Sequence, residues 1–217
     1  MPASAEGDVL MAAKPKSCNS PLPIRVWHWV HITCVLILIL TGAQIRFSEN
    51  IHLFANFRAT IELHNQVGIY VTFTFFFWFF YYAIMSGKLG ALYLPRKEDI
   101  RHGLKEQLAY YFYHFFRGRP NPHQVTPEKR FNPLEKFLYL LIMLGVFPVQ
   151  MVTGVALKSL YPPWKIIDLF GSIKFLMGLH FLNGCLLCGL ILIHVYLTTL
   201  NGISWPKIRL VLQGKKD

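Results

Sequence analysis

Five of the nine histidines, His28, His31, His64, His180 and His194, fall inside or at the margins of long stretches that carry no Lys, Arg, Asp or Glu. An ionisable ring in apolar surroundings costs free energy, so each needs a use. Neutral imidazole offers one: it binds a metal through one ring nitrogen and satisfies the other with a hydrogen bond. His180 and His194 stand fourteen residues apart in one such stretch. On a helix that is ~21 Å along the axis and ~40° short of four turns, so both rings leave nearly the same face near opposite ends. They cannot share a ligand, but each can face its own inside a bundle.

The stretches that must position these rings run Val26–Ile45, Leu63–Gly87, Phe137–Leu157 and Phe175–Pro206. Each is long enough to cross the hydrocarbon core, which takes roughly 20 apolar residues. Composition agrees, with 53% hydrophobic and 15% charged residues and a mean hydropathy of +0.37. So little charge excludes an ordinary water-soluble globule, and 18 Phe, 10 Tyr and 5 Trp exclude disorder. The sequence therefore predicts an all-α membrane protein, a four-helix transmembrane bundle. No small-residue cleavage pattern comes after the first stretch, which reads as a retained span and not a signal peptide.

A net charge of +11 suggests nucleic acid until the basic residues are placed. Four spans put both termini on one side, and seventeen of the 22 Lys and Arg fall on that side; only Arg46, Arg58, Lys158, Lys165 and Lys174 fall opposite. Such a bias makes the rich side cytoplasmic, so the partner is a lipid bilayer and not nucleic acid. The expected organisation is a cytoplasmic tail over 1–24, one membrane domain over 25–206 and a cytoplasmic tail over 207–217. Within the domain, 86–133 is too long for a turn. Ile100, Leu104, Leu108, Tyr111 and Phe115 recur there at helical spacing among Arg101, Lys105 and Arg117. That pattern predicts a surface amphipathic helix, lying on the cytoplasmic leaflet or docking on a partner subunit. Pro120, Pro122, Pro127 and Pro133 then interrupt the chain before span three.

This topology pairs the histidines by depth. His194 falls level with the start of span one, where His28 and His31 lie; His180 falls level with the start of span two, where His64 lies. Two pairs at two depths fit two bis-histidine haems stacked across the bilayer. A single such histidine more often bonds a neighbouring helix; the set matched in depth favours haem. Gly42, Gly68, Gly154 and Gly184 add room for flat macrocycles between helices.

The sequence resembles the cytochrome b (gamma) subunit of respiratory formate dehydrogenase-N and the related b-type cytochromes of membrane-bound NiFe hydrogenases. The matching segments are Arg25-Val26-Trp27-His28-Trp29, Leu63-His64 with Gly68-Ile69, and Val152-Thr153-Gly154-Val155. They continue with His180, Leu192-Ile193-His194-Val195-Tyr196, Gly202 and Gln213-Gly214-Lys215, from Arg25 to Lys215 in all. The resemblance implies two haem b groups, with His28 and His194 as axial ligands on the cytoplasmic side and His64 and His180 on the outer side. It selects His28 over His31, which helix geometry alone does not. It also implies menaquinone reduction near the cytoplasmic haem, at a motif matched here by Phe131-Asn132, which makes Asn132 the quinone contact. The next two residues, Pro133 and Leu134, depart from the family's small ones.

So read, the chain is an electron wire in the inner membrane of a bacterial respiratory chain. It would take electrons from a partner iron–sulfur subunit of a catalytic oxidoreductase and pass them to menaquinone. Glu135, His114, His123 and Lys136 are candidate proton carriers by position, though a residue so placed is more often part of a solvated loop. The competing functions are the same wire serving a hydrogenase or a thiosulfate or polysulfide reductase, a membrane di-metal oxygenase built on His28-Trp29-Val30-His31, and a haem-free anchor. The oxygenase needs its histidines at one depth, and here they are split. Cys185 and Cys188 are not followed by His, so covalent haem attachment is not expected, and four cysteines are too few for iron–sulfur clusters of the chain's own.

Overall fold

A computed structural model describes residues 21–54, 56–123, 131–158 and 171–200. The described residues are helical, with four helices long and apolar enough to cross a membrane: Leu22–Arg46, Phe57–Met85, Pro133–Lys158 and Ile173–Thr199. They comprise α1 (Leu22–Arg46), α2 (Phe57–Phe80) with a π-turn over Tyr81–Met85, α5 (Pro133–Leu140) joined through a π-turn at Leu141–Val146 to α6 (Phe147–Lys158), and α7 (Ile173–Leu200). Between the second and third spans lie the short α3 (Leu89–Tyr93) and α4 (Leu104–Ala109).

All four spans start earlier than their charge-free stretches, because charge marks the hydrocarbon boundary and not the helix end. Pro23 sits in the first turn of α1, where a missing N–H costs nothing. Asn56 caps α2 by accepting from the Ala59 N–H at 2.7 Å, and Arg58 and Glu62 then pair one turn apart at 3.1 Å. Asn132 caps α5 in a reciprocal box with Glu135.

Neighbouring spans pack antiparallel, α1 on α2 and α6 on α7, with α2 against α6 and α5 against α7. Gln44 ties the first connection together. Its amide oxygen accepts the Leu53 and Phe54 N–H groups at 2.9 and 2.8 Å, and its nitrogen donates to Thr60 Oγ1 at 3.0 Å. Most large apolar side chains of the spans point outward, such as Phe73 and Leu192, as a lipid-facing surface requires.

The cytoplasm-assigned segment departs from its expected pattern. It is helical from Lys97 to Arg117 but contains π-turns at Asp99–Gly103 and Tyr110–His114. The second π-turn takes in an extra residue and rotates the helix beyond it. Tyr111 therefore turns inward and is buried, Phe115 is half-buried, and Phe112 and Phe116 take the outer face with Ile100. Pro127, Cys18, Lys165, Gly202 and Gln213-Gly214-Lys215 lie outside the described residues; Cys34, Cys185 and Cys188 are free.

Candidate functional site

The five intramembrane histidines gather at two levels. At one end of the bundle, His64 of α2 faces His180 of α7, with ring centroids 6.3 Å apart and planes at 80°. Arg46, at the end of α1, lies 5.2 Å above the Phe181 ring, which fixes the same depth for the α1 end and the start of α7. At the other end His28 lies within electrostatic reach of His194, and Tyr139 packs 5.5 Å from His194.

Hydrogen bonds decide which ring nitrogen is available at the first level. The Thr41 hydroxyl has one proton, which it donates to the Ile37 carbonyl at 2.7 Å. His64 Nδ1, 2.8 Å from that oxygen, must therefore donate to it. Thr153 repeats the arrangement: its hydroxyl donates to Val149 O at 2.8 Å and accepts from His180 Nδ1 at 2.8 Å. Both imidazoles thus carry the proton on Nδ1 and offer the Nε2 lone pair, the tautomer a metal ligand needs. Each ring is also backed by the glycine next to its threonine. A Cβ on Gly42 would lie 3.4 Å from His64 Cε1, and one on Gly154 only 3.1 Å from His180 Cε1.

The separation suits one iron held between two imidazoles. With metal–nitrogen bonds of about 2 Å and about 1.2 Å from nitrogen to ring centre, the two centroids would stand roughly 6–6.5 Å apart. One group shares the His180 lone pair: Gln150 Nε2 donates to His180 Nε2 at 3.1 Å. Asn183 sets its orientation by donating to Gln150 Oε1 at 2.8 Å and to Val146 O at 2.9 Å. A metal on Nε2 would replace the Gln150 bond.

The second level is built from rings. Trp27 stacks on His31 at 4.8 Å and on Trp78 at 6.1 Å; Trp78 meets Tyr93 at 5.2 Å, and Tyr93 meets Tyr139 at 6.0 Å beside His194. Trp27 Nε1 donates to the Thr74 carbonyl. Burial, reinforced by the neighbouring Tyr82 hydroxyl, holds the Tyr93 hydroxyl protonated far above its usual range. Neither His28 nor His194 has a ring hydrogen bond among the described residues. His31 does: Thr74 donates its hydroxyl proton to Val71 O at 2.8 Å and accepts from His31 Nδ1 at 3.0 Å.

Asn132 is 2% exposed. Its oxygen accepts the Glu135 N–H at 2.8 Å and its nitrogen donates to the Tyr111 hydroxyl at 3.1 Å, which leaves one amide hydrogen without a partner among the described residues. Next to it, Lys136 pairs with Asp99 at 2.9 Å, its side chain 6% exposed. Burial alone would raise the Asp99 carboxyl; the Arg96 N–H and the Lys136 ammonium outweigh it and hold the group below the ordinary carboxylate range. Of the other proton-carrier candidates, His114 keeps a buried Nδ1 with no hydrogen-bond partner among the described residues, and Glu135 is committed to the α5 cap. The backbone N–H of His123 donates to Asn121 Oδ1 at 2.9 Å.

Sequence reasoning misses Thr41, Thr74, Gln150 and Asn183, and takes Thr153 only as part of a matching segment. A usable signal is present, since Thr-Gly occurs in span one at 41–42 and again in span three at 153–154, each at the depth of one of these histidines. Gly42 and Gly154, expected to give clearance for a macrocycle, pack against the imidazoles instead. Gly184 packs against Gln150, and Gly68 makes ordinary contact with Leu38. Among the described residues, no three His, Cys, Asp or Glu side chains converge on a common point.

Known proteins resemble this chain over most of its length. YdhU of Escherichia coli (strain K12), which carries a provisional cytochrome name, is 26% identical over 198 residues, covering 88% of this chain and 71% of YdhU. The formate dehydrogenase cytochrome b556 subunit of Haemophilus influenzae (strain ATCC 51907 / DSM 11121 / KW20 / Rd) is 24% identical over 196 residues, covering 88% of this chain and 73% of that subunit. The family model for prokaryotic cytochrome b561 matches residues 19–212, nearly the whole chain, and the protein belongs to that family.

Proposed function

We propose that this chain is a dihaem cytochrome b that anchors an oxidoreductase complex in the membrane and carries electrons between an iron–sulfur partner subunit and the menaquinone pool. The observation that carries the proposal is the His64–His180 pair, its ring centroids 6.3 Å apart and each Nδ1 2.8 Å from a threonine hydroxyl, an arrangement that would leave the Nε2 atoms for a metal. His64 and His180 would hold one haem, and His28 and His194 the other at the opposite depth. Bound haem supplies the one-electron chemistry. The chain's own residues do the rest: the threonines set the tautomer, the glycines admit the rings, and the aromatic run from Trp27 to Tyr139 keeps water from the second level.

The termini are assigned to the cytoplasm by the basic bias of the loops and tails, which places the His28–His194 pair on that side. Quinone would exchange at this mouth, beside Asn132, where one amide N–H without a partner among the described residues could reach a quinone carbonyl. The formate dehydrogenase subunit among the relatives supports a respiratory complex as the setting; a hydrogenase or sulfur-compound reductase would use the same wire.

The purified chain reduced with dithionite should show b-type bands equivalent to two haems per chain. His64→Ala or His180→Ala should each remove the same single haem, and His28→Ala or His194→Ala the other. A colourless protein, or loss of both haems only on His31→Ala, would overturn the assignment.

A further inference from the structure

The helical run from Lys97 to Arg117 has two faces, and among the described residues one of them is packed. Its inner face grips the start of the third span. A Cβ on Gly103 would fall 2.6 Å from Pro133 Cγ, the Tyr111 hydroxyl accepts from Asn132, and Asp99 pairs with Lys136. Pro133 is the first residue of that span, so the run lies where hydrocarbon gives way to headgroups.

The outer face is apolar and has no partner among the described residues. Ile100, Phe112 and Phe116 are 58%, 79% and 70% exposed, with Leu108 between them. These positions recur every four residues, a spacing that drifts by about 40° per step around a plain α-helix. The π-turns at Asp99–Gly103 and Tyr110–His114 each take in an extra residue and return part of that drift, so the stripe holds together. Lys97, Arg101 and Lys105, all exposed, keep the same spacing along one edge, with Glu98 and Glu106 one residue farther round. At the far end the Arg117 guanidinium lies 3.9 Å over the Tyr113 ring.

We propose that this face is a docking surface for anionic lipid: Ile100, Phe112 and Phe116 enter the headgroup–acyl boundary while Lys97, Arg101 and Lys105 meet the phosphates. The apolar stripe continues the bilayer the spans already occupy, and the basic edge is complementary to acidic headgroups. Seated there, the run braces the corner of Pro133, Asn132 and Lys136 that leads to Tyr139 and His194.

The test uses the full chain in nanodiscs of phosphatidylcholine with or without phosphatidylglycerol. A bimane label at Phe112→Cys, with the native cysteines replaced by Ala, should be quenched by acrylamide about fivefold less than one at Glu98→Cys when the acidic lipid is present. Lys97→Ser, Arg101→Ser and Lys105→Ser together should abolish that difference, since each basic residue contributes about fivefold to binding an acidic surface. Equal quenching at both positions in both lipids would overturn the proposal. Should the cysteine-free chain fail to fold, a photo-crosslinking benzoylphenylalanine at position 112 of the otherwise native chain should capture phospholipid in native membranes. Capture of a protein subunit there would assign the face to a partner and overturn it equally.

Discussion

The two ends of the bundle hold their histidines by different physics. Around His64 and His180 the polar restraints are directional, a threonine oxygen on each Nδ1 and the Asn183–Gln150 relay on one Nε2, and a glycine packs against each Cε1. Around His28 and His194 the restraints are faces of rings, Trp27 beside one and Tyr139 beside the other, with no hydrogen bond to either imidazole among the described residues. Directional bonds fix a ligand's tautomer and angle before a metal arrives. Ring packing excludes water and leaves orientation free. An electron carrier gains from a stiff site, whereas a site that must work beside an exchanging substrate gains from give.

The largest effect should separate the ends outright. Gly154→Leu places a Cβ 3.1 Å from His180 Cε1 and more bulk behind it, so the imidazole must shift from its position opposite His64. The pyridine haemochrome assay should fall from two haems per chain to one, with the survivor sensitive to His194→Ala. Gly68→Ala, whose new methyl meets only Leu38 at 3.9 Å, should keep both.

A smaller effect probes the mouth of the other end. Lys136 is nearly buried, so Asp99→Asn leaves its ammonium unpaired and should cost about 3–5 kcal/mol of stability. The direction of the Asp99 shift sets the pH dependence. A carboxyl held below its ordinary value contributes stability that is fully present above the ordinary carboxylate range and is lost as pH falls through the depressed value. Melting curves of the wild-type chain should therefore lose this contribution only at acid pH, and those of Asp99→Asn should lack that step. Spectra of the His64–His180 haem should stay constant across it.

Smaller again is Thr153→Val, which keeps the shape and removes the acceptor from His180 Nδ1. Loss of such a partner weakens metal binding about 10–100-fold. Haem titration of the variant should show one weakened site and one unchanged. Thr74→Val removes the same kind of bond from His31 and should leave both affinities intact, since His31 is assigned no iron. Two weakened sites would mean that the His28–His194 end also relies on a threonine-held imidazole.

The four spans and the two levels are legible in the sequence because both derive from quantities carried by single residues. Charge is present or absent at each position, and helix rise converts fourteen residues between His180 and His194 into a depth. The hidden features depend on contacts between helices. Nothing local to Thr41 says that its oxygen will meet a ring twenty-three positions later, and Gln150 within an apolar stretch gives no hint that it will bond His180. The stripe at 100–116 misleads for another reason. Helical periodicity supposes one fixed period, and the π-turn at Tyr110–His114 changes it. Asn132 stands out through the family resemblance, yet its capping box with Glu135 can be read directly from Asn-Pro-Leu-Glu at the start of a hydrophobic run.

That double role at Asn132 yields the finest comparison. Asn132→Ala removes the cap and should cost about 1 kcal/mol. Asn132→Ser keeps an oxygen for the Glu135 N–H and buries no charge, so the cap survives and stability should stay closer to wild type than in Asn132→Ala. It lacks the amide hydrogens, one of which is unpartnered among the described residues. If that hydrogen reaches quinone, Asn132→Ser should slow reoxidation of the reduced cytochrome by a menaquinone analogue about tenfold, one hydrogen bond's worth, with both haems retained. Reoxidation at the wild-type rate in Asn132→Ser would confine Asn132 to capping and move the quinone contact to another residue at the same mouth.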